Sequence, residues 1–304
     1  MKEIYRDINE KLTGLGIDCR ADAPMSEYTS FKVGGPAALL VSPKDEAELS
    51  AVLAICSGRG ITPFILGNGS NLLVSDEGID NVCVRLASAF EKIEYKGDGV
   101  IRCTAGATLA HLCVFALEHS LTGLEFAYGI PGTAGGAAFM NAGAYGGEMK
   151  DVLAKCSHMA LSDGSAGEFS GEELRLGYRS SVYSDGGYVI TGLTLKLRPG
   201  NREEIDGKMR ELIGRRIDKQ PLDMPSAGSF FKRPPGNYAG ALIEQCGMKG
   251  FRTGGAQVSE KHAGFVVNAG GATCADILSL GKKVADEVRK QTGITLEREV
   301  RYIG

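Results

Sequence analysis

Two glycine-rich stretches carry the residue types best suited to holding an anionic ligand. The first is Gly67-Asn68-Gly69-Ser70-Asn71, set between the apolar runs 63–66 and 72–74. Its glycines allow left-handed turns, and its backbone N–H groups can converge on a pyrophosphate. Asn68-Gly69 between two hydrophobic runs is also the commonest signal for a short β-hairpin, so both readings stand at this point. A Rossmann fingerprint does not fit: Leu72 occupies the place of the third glycine, and strand-like sequence follows where a helix should open.

The second stretch runs from Gly123 to Gly147. It contains Gly129-Ile130-Pro131-Gly132-Thr133-Ala134-Gly135-Gly136, then Asn141, Gly143 and Tyr145. Pro131 ahead of Gly132-Thr133, with small residues after, describes backbone passing close to something bulky, and Thr133 is placed to cap a helix or bond a ligand. A loop packed on its own protein needs some of these features. It does not need all of them beside a second cradle.

The elements that must position these stretches follow from periodicity. Ile4, Ile8, Leu12 and Leu15 mark one face of an N-terminal helix ending near Gly14 or Gly16. A strand at 37–42, a helix opened by Pro43-Lys-Asp-Glu and running to about Gly58, the strand entering Gly67, and a strand at 81–86 give a small α/β lobe. Strands at 90–95 and 100–104, a helix at 107–119, and alternating strands at 152–161 and 188–197 give a larger mixed-sheet lobe. Pro199-Gly200 closes it. A charged helix at 202–219, helices at 238–246 and 273–291, and strands at 264–268 and 294–303 compose an α+β C-terminal domain, with Thr273 as N-cap. The expected division is 1–30 lead-in, 31–88 first lobe, 89–199 second lobe and 200–304 C-terminal domain.

Composition narrows the function classes. In 304 residues the net charge is −3, from 34 basic and 37 acidic side chains without a block of either sign, so no nucleic-acid arm or membrane patch is expected. Glycine, at 43 residues, is about twice the usual ~7% without any collagen period. The eight cysteines form no C-x-x-C pair and read as reduced core residues, with no metal site expected. The chain's start lacks an apolar h-region, and a cytoplasmic protein is expected.

At this point the motifs carry a resemblance. The stretches Gly67–Asn71 and Gly129–Gly136 resemble the two FAD-binding segments of the p-cresol methylhydroxylase / vanillyl-alcohol oxidase superfamily. Three further motifs follow: Gly177-Tyr178-Arg179-Ser180-Ser181; Pro225-Ser-Ala-Gly-Ser229-Phe-Phe-Lys232-Arg233-Pro234; and Leu296-Glu-Arg-Glu299-Val-Arg-Tyr-Ile-Gly304. In that order and spacing, over essentially the whole chain, they resemble the UDP-N-acetylenolpyruvoylglucosamine reductase family of peptidoglycan precursor synthesis.

The resemblance implies an α+β fold: a two-lobed FAD-binding module followed by an α+β substrate-binding domain. It implies noncovalent FAD held by Gly67, Asn68, Gly69, Ser70, Asn71, Gly129, Ile130, Pro131, Gly132, Thr133, Gly135, Gly136, Asn141 and Gly143. NADPH would reduce the flavin, and hydride would pass from N5 to the enolpyruvyl methylene carbon of UDP-N-acetylglucosamine enolpyruvate, giving UDP-N-acetylmuramate. Carried over residue by residue, Ser229 gives a proton to the adjoining carbon, while Arg179 and Glu299 polarise the substrate carboxylate. A guanidinium suits that role through its permanent charge and its carboxylate-matching fork. A second anion there repels the substrate unless Glu299 is protonated, as burial and like charge would favour, or bridged by Arg179.

The substrate's diphosphate, uridine and sugar make Lys232, Arg233, Lys261, Tyr145 and Tyr178 candidate contacts, whereas Phe230 and Phe231 are expected to pack. Only 70 positions separate Ser229 from Glu299, which leaves no room for the longer subclass's tyrosine-bearing lid, so the chain resembles the short, type II form. Arg233 stands where many members have Asn. A monomer acting on small molecules is expected. The competing readings are a flavin oxidase of the same superfamily acting on a small alcohol or lactone, and a non-catalytic nucleotide-binding module.

Overall fold

The N-terminal helix forms because Tyr5, Ile8 and Leu12 recur on one face of α1 (Glu3–Gly14), where all three are buried. Leu15, expected on that face, lies past the last helical turn and is 60% exposed, because the chain reverses at Gly16 with φ +77°. A computed structural model describes all 304 residues, Met1–Gly304. Its contacts group the chain into two compact units: Met1–Ala21, Leu39–Asn68 and Asn81–Arg215 form the first, and Asp22–Ala38, Gly69–Asp80 and Arg216–Gly304 the second.

Strands β1 (Asp18–Pro24), β2 (Pro36–Ser42), β3 (Phe64–Leu66) and β5 (Ile79–Arg85) make a four-stranded sheet in the order β1-β2-β5-β3, with β3 parallel to β5. Helix α2 (Glu46–Ser57) makes the crossover from β2 to β3; Asp45 caps it by accepting from Glu48 N at 2.9 Å, and its acidic first turn suits the dipole. Strand β4 (Leu72–Val74), on the far side of the Gly67–Asn71 turn, does not pair with β3. The hairpin reading of Asn68-Gly69 is thereby corrected.

The larger sheet of unit 1 runs Ala166–Ser170, Leu153–Ala160, Tyr188–Lys196, β7 (Val100–Thr104), β6 (Ile93–Tyr95). Every pairing in it is antiparallel, so the mixed sheet expected for this lobe is corrected in hand. Helix α3 (Leu109–Glu118) starts at Thr108, whose side chain accepts from His111 N, and buries Leu109, Leu112, Cys113 and Ala116. A helix that periodicity did not forecast, α4 (Ala134–Phe139), follows within the second glycine stretch. Helix α5 (Arg202–Lys219) stands as expected before Pro221.

Unit 2 is built on an antiparallel sheet ordered Ser226–Ser229, Phe265–Asn268, Ala256–Val258, Arg252–Thr253. Helices α6 (Ala239–Gln245) and α7 (Cys274–Thr292) cover it through Leu242, Ile243, Ile277, Leu280, Val284 and Val288. Thr273 caps α7 with a capping box to Asp276. The Asp76 carboxylate adds a second cap, accepting from Cys274 N at 2.7 Å and Ala275 N at 3.0 Å. The strand expected over 294–303 is confined to Arg301–Ile303, which pairs in parallel with β4. No helix is long and apolar enough to cross a membrane.

Candidate active site

Gly67 closes β3 against the second glycine stretch: a Cβ there would lie 2.6 Å from Thr133 Oγ1. That hydroxyl is the N-cap of α4, accepting from Gly136 N at 3.3 Å. The two stretches singled out by composition are thus neighbours through Gly67 and Thr133. Gly69 takes φ +60°, and a Cβ on it would collide with the Tyr28 carbonyl, so glycine is required there twice over. The N–H groups of Asn68, Gly69 and Ser70 find no acceptor in the protein, although Gly69 is buried. Orphaned donors on successive residues fit the pyrophosphate of a dinucleotide cofactor.

Other residues of the expected cofactor set have duties inside the fold. Ala134 and Gly135 N–H bond the carbonyls of Ala107 and Ala105, so the opening of α4 is satisfied by protein. Gly135 is glycine because a Cβ would meet Ala105 Cβ at 2.7 Å, and Gly143 because one would meet the Gly147 carbonyl at 2.7 Å. Asn141, expected against the cofactor, is 1% exposed and turned into the protein, where it donates to Glu148 Oε2 at 2.5 Å and to the Gly177 carbonyl at 3.0 Å.

Arg179 sits on a tight turn in which Gly177 and Ser180 exchange backbone bonds of 3.1 and 3.3 Å. Its φ of +56° is left-handed, a conformation costing roughly 1–2 kcal/mol for a residue with a Cβ. The surroundings impose it: Asn141 holds the Gly177 carbonyl, and Ser181 Oγ donates to the Phe139 carbonyl at the end of α4 at 2.8 Å. The guanidinium lies 5.2 Å from the centroid of the Tyr178 ring. Tyr178 and Tyr145 are both exposed.

Behind this turn, Tyr183 is buried and its hydroxyl meets His158 Nδ1 at 3.1 Å. Burial pushes the His158 pKa below the usual imidazole value and the Tyr183 phenol above its own.

Unit 2 holds Ser229 and Glu299 on two neighbouring backbone segments. Ser229 is exposed at the end of its strand, after the bulge at Gly228 with φ +77°, and pairs with Phe265. Phe230 and Phe231 are buried with their rings 5.0 Å apart, as expected of packing residues. Gly281 of α7 leaves room for the Phe230 ring, which a Cβ would strike. On the open edge of this segment, Glu299 N bonds the Phe230 carbonyl at 2.9 Å and Lys232 N bonds the Glu297 carbonyl at 2.8 Å. Glu299 is therefore held one residue from Ser229. Asn71, from the first glycine stretch, fixes the same segment: its Nδ2 donates to the Glu299 carbonyl at 3.4 Å, and its carbonyl accepts from Arg301 N at 3.0 Å.

Of the candidate cations, Lys232 pairs with Glu297, Arg233 lies over the Tyr238 ring at 4.0 Å, and Lys261 Nζ donates to the Ile217 carbonyl at 2.6 Å. Lys261 belongs to the turn 259–264, which carries the Gly264 carbonyl that accepts from Phe230 N. Sequence reasoning missed Asp76 as the cap of α7 and Asn141 as an internal clamp; Asp and Asn are the residue types for such tasks, but their partners lie 198 and 36 positions away.

Residues 37–170 match the family model for an FAD binding domain, and residues 220–303 match that for the UDP-N-acetylenolpyruvoylglucosamine reductase C-terminal domain. The chain is 47% identical over 283 residues to the UDP-N-acetylenolpyruvoylglucosamine reductase of Alkaliphilus oremlandii, covering 93% of this chain and 92% of that one. It is 46% identical over 287 residues to that of Clostridioides difficile, covering 94% of each. The crystal structure of UDP-N-acetylenolpyruvylglucosamine reductase from Thermus caldophilus superposes with a TM-score of 0.81 at 36% identity, over 95% of this chain and 99% of that one. Berberine bridge enzyme from Eschscholzia californica, at 18% identity and a TM-score of 0.50 over 64% of this chain and 44% of that one, shares the fold.

Proposed function

The chain belongs to the UDP-N-acetylenolpyruvoylglucosamine reductase family of FAD-dependent oxidoreductases, and on that premise we propose that it reduces UDP-N-acetylglucosamine enolpyruvate to UDP-N-acetylmuramate at the expense of NADPH. FAD, when bound, supplies the chemistry of accepting a hydride from the nicotinamide and delivering one to the enolpyruvyl methylene carbon. The chain's own part is to bind, orient and move one proton. The open N–H groups of Asn68, Gly69 and Ser70 are assigned to the cofactor pyrophosphate, and the Gly129–Gly132 backbone and Thr133, which lies against Gly67, are assigned to the same cofactor. The flavin is held noncovalently.

Arg179 takes the substrate carboxylate through its guanidinium fork and draws into it the charge that develops on the adjoining carbon. Glu299 shares that polarising task. Ser229 Oγ–H gives its proton to that carbon. A serine hydroxyl is a weak acid, but an enolate carbon is a strong base, so its position governs the transfer. Lys232, Arg233 and Lys261 are assigned to the diphosphate, and Tyr145 and Tyr178 to the sugar or uridine. Lys232 would have to exchange its Glu297 partner for phosphate oxygen. The enzyme acts as a cytoplasmic monomer.

The observation that supports this assignment best is the bond from Glu299 N to the Phe230 carbonyl, which holds the Glu299 backbone against the residue next to an exposed Ser229. Purified protein should be yellow, and its NADPH consumption should depend on added UDP-N-acetylglucosamine enolpyruvate. Colourless protein, or NADPH oxidation indifferent to that substrate, would overturn the assignment.

A further inference from the structure

We propose that Asn141 is a positioning residue for Arg179, acting through the Gly177 carbonyl, and that Glu148 holds Asn141 to this task. The proposal rests on the reading of Arg179 as the group that takes the substrate carboxylate. Asn141 is 1% exposed and adopts φ +40°. Its side chain makes three bonds: Nδ2 donates to Glu148 Oε2 at 2.5 Å and to the Gly177 carbonyl at 3.0 Å, while Oδ1 accepts from Lys150 N at 2.9 Å. Two partners are acceptors and one is a donor, so the orientation of the amide is over-determined. Both of its donor hydrogens are spent inside the protein.

Glu148 is itself fixed. It caps the turn Met149–Asp151 in a reciprocal box, Asp151 Oδ2 accepting from Glu148 N at 2.8 Å, and its other oxygen pairs with Lys150 Nζ. A charged, immobile acceptor thus anchors one hydrogen of the amide, and the other is aimed at Gly177. The Gly177 carbonyl also accepts from Ser180 N, so it closes the four-residue turn on which Arg179 stands left-handed. A shift of that carbonyl carries the turn with it, and the long Arg179 side chain magnifies the error at the guanidinium.

Asn141→Asp is the sharpest test. It keeps the shape and the bond from Lys150 N but replaces both donations with an oxygen facing the Glu148 carboxylate and the Gly177 carbonyl. In the protein without substrate, amide hydrogen exchange over residues 177–181 should speed by roughly tenfold or more, since closed turns exchange only on opening. The kcat/KM for UDP-N-acetylglucosamine enolpyruvate should fall on the order of 100-fold, the cost of misplacing a binding group by ~1 Å. FAD content and the rate of flavin reduction by NADPH should stay within about twofold of wild type, and in an Arg179→Ala background the same substitution should add no more than about twofold, because the two act as one unit. Unchanged exchange over 177–181, loss of FAD, or a full additional penalty without Arg179 would each overturn the proposal. Should Asn141→Asp fail to fold, Glu148→Gln, which keeps an acceptor but removes its charge, should show the same pattern more weakly, and wild-type exchange and kinetics in it would overturn the proposal equally. If the wild-type enzyme ignores the substrate, the reading of Arg179 fails, while the exchange result still judges the clamp.

Discussion

Gly67→Ala perturbs the contact that joins the two glycine-rich stretches. Gly67 is outside the left-handed region, so alanine brings no backbone strain, and the effect reduces to one new methyl group. That methyl would lie 2.6 Å from Thr133 Oγ1, about 0.8 Å short of an ordinary contact. Thr133 can yield by turning its hydroxyl away, which surrenders the cap on Gly136 N at a cost of about 1 kcal/mol. Otherwise the backbone at 67–69 must move, and the open N–H groups move with it. A displacement that weakens cofactor binding tenfold corresponds to ~1.4 kcal/mol, the same order as the lost cap. Titrating FAD into apo-protein, followed by flavin fluorescence, should therefore show Gly67→Ala binding at least about tenfold more weakly. Gly67→Ala combined with Thr133→Gly removes the obstruction and leaves an acceptable N-cap, but also removes whatever Thr133 itself gives the cofactor, so it should recover part of the affinity lost in the single variant. Wild-type affinity in the single variant, or no recovery in the double, would refute the steric coupling of the two stretches.

Three further expectations follow from the geometry. Asp76→Ala strips two backbone donors of α7 of their acceptor and should cost ~1–3 kcal/mol, read as a lower urea midpoint with an unchanged m-value. His158 has its pKa lowered by burial, so the folded protein binds this proton less readily than the unfolded chain. Its contribution to stability is present above the unfolded value of about 6.5 and is lost as pH falls below it; urea titrations of wild type and His158→Gln should converge on acidification. His262, lowered by burial in the same direction, leaves a residual acid sensitivity in both. Ser229→Ala should leave flavin reduction by NADPH intact and slow only reoxidation by substrate, and loss of both half-reactions in stopped-flow traces would remove Ser229 as the proton donor.

The parts of the molecule that could be read from sequence are those whose signal is local. Helix α7 announced itself through Ile277, Leu280, Val284 and Val288 at helical spacing and through Thr273 as its cap, and the structure buries all four. Phe230 and Phe231 were readable as packing residues because a paired aromatic beside a strand end has little else to do. What escaped depends on distant partners. The turn at Asn68-Gly69 has the local chemistry of a hairpin, and only the pairing of β4 with Arg301–Ile303 shows that it is none. The segment 294–300 reads as strand, yet its ladder is broken to single contacts such as the Phe231 bridge to Arg298 and the Glu299 bond to Phe230. Asn141 reads as a ligand contact because it lies in a glycine-rich run, and its side-chain partners inside the protein emerge only when Gly177 folds back upon it.

The proposed activity assigns the cradle at Asn68–Ser70 and the residues Arg179, Ser229 and Glu299 to the reduction of an enolpyruvyl ether. Its most direct test is a single turnover without oxygen. Enzyme with its flavin reduced by one equivalent of NADPH is mixed with UDP-N-acetylglucosamine enolpyruvate, and the visible flavin absorbance is followed together with product mass. Oxidised absorbance should return as one equivalent of UDP-N-acetylmuramate forms. Flavin that stays reduced until oxygen is admitted, with the enolpyruvyl compound unchanged, would contradict that assignment.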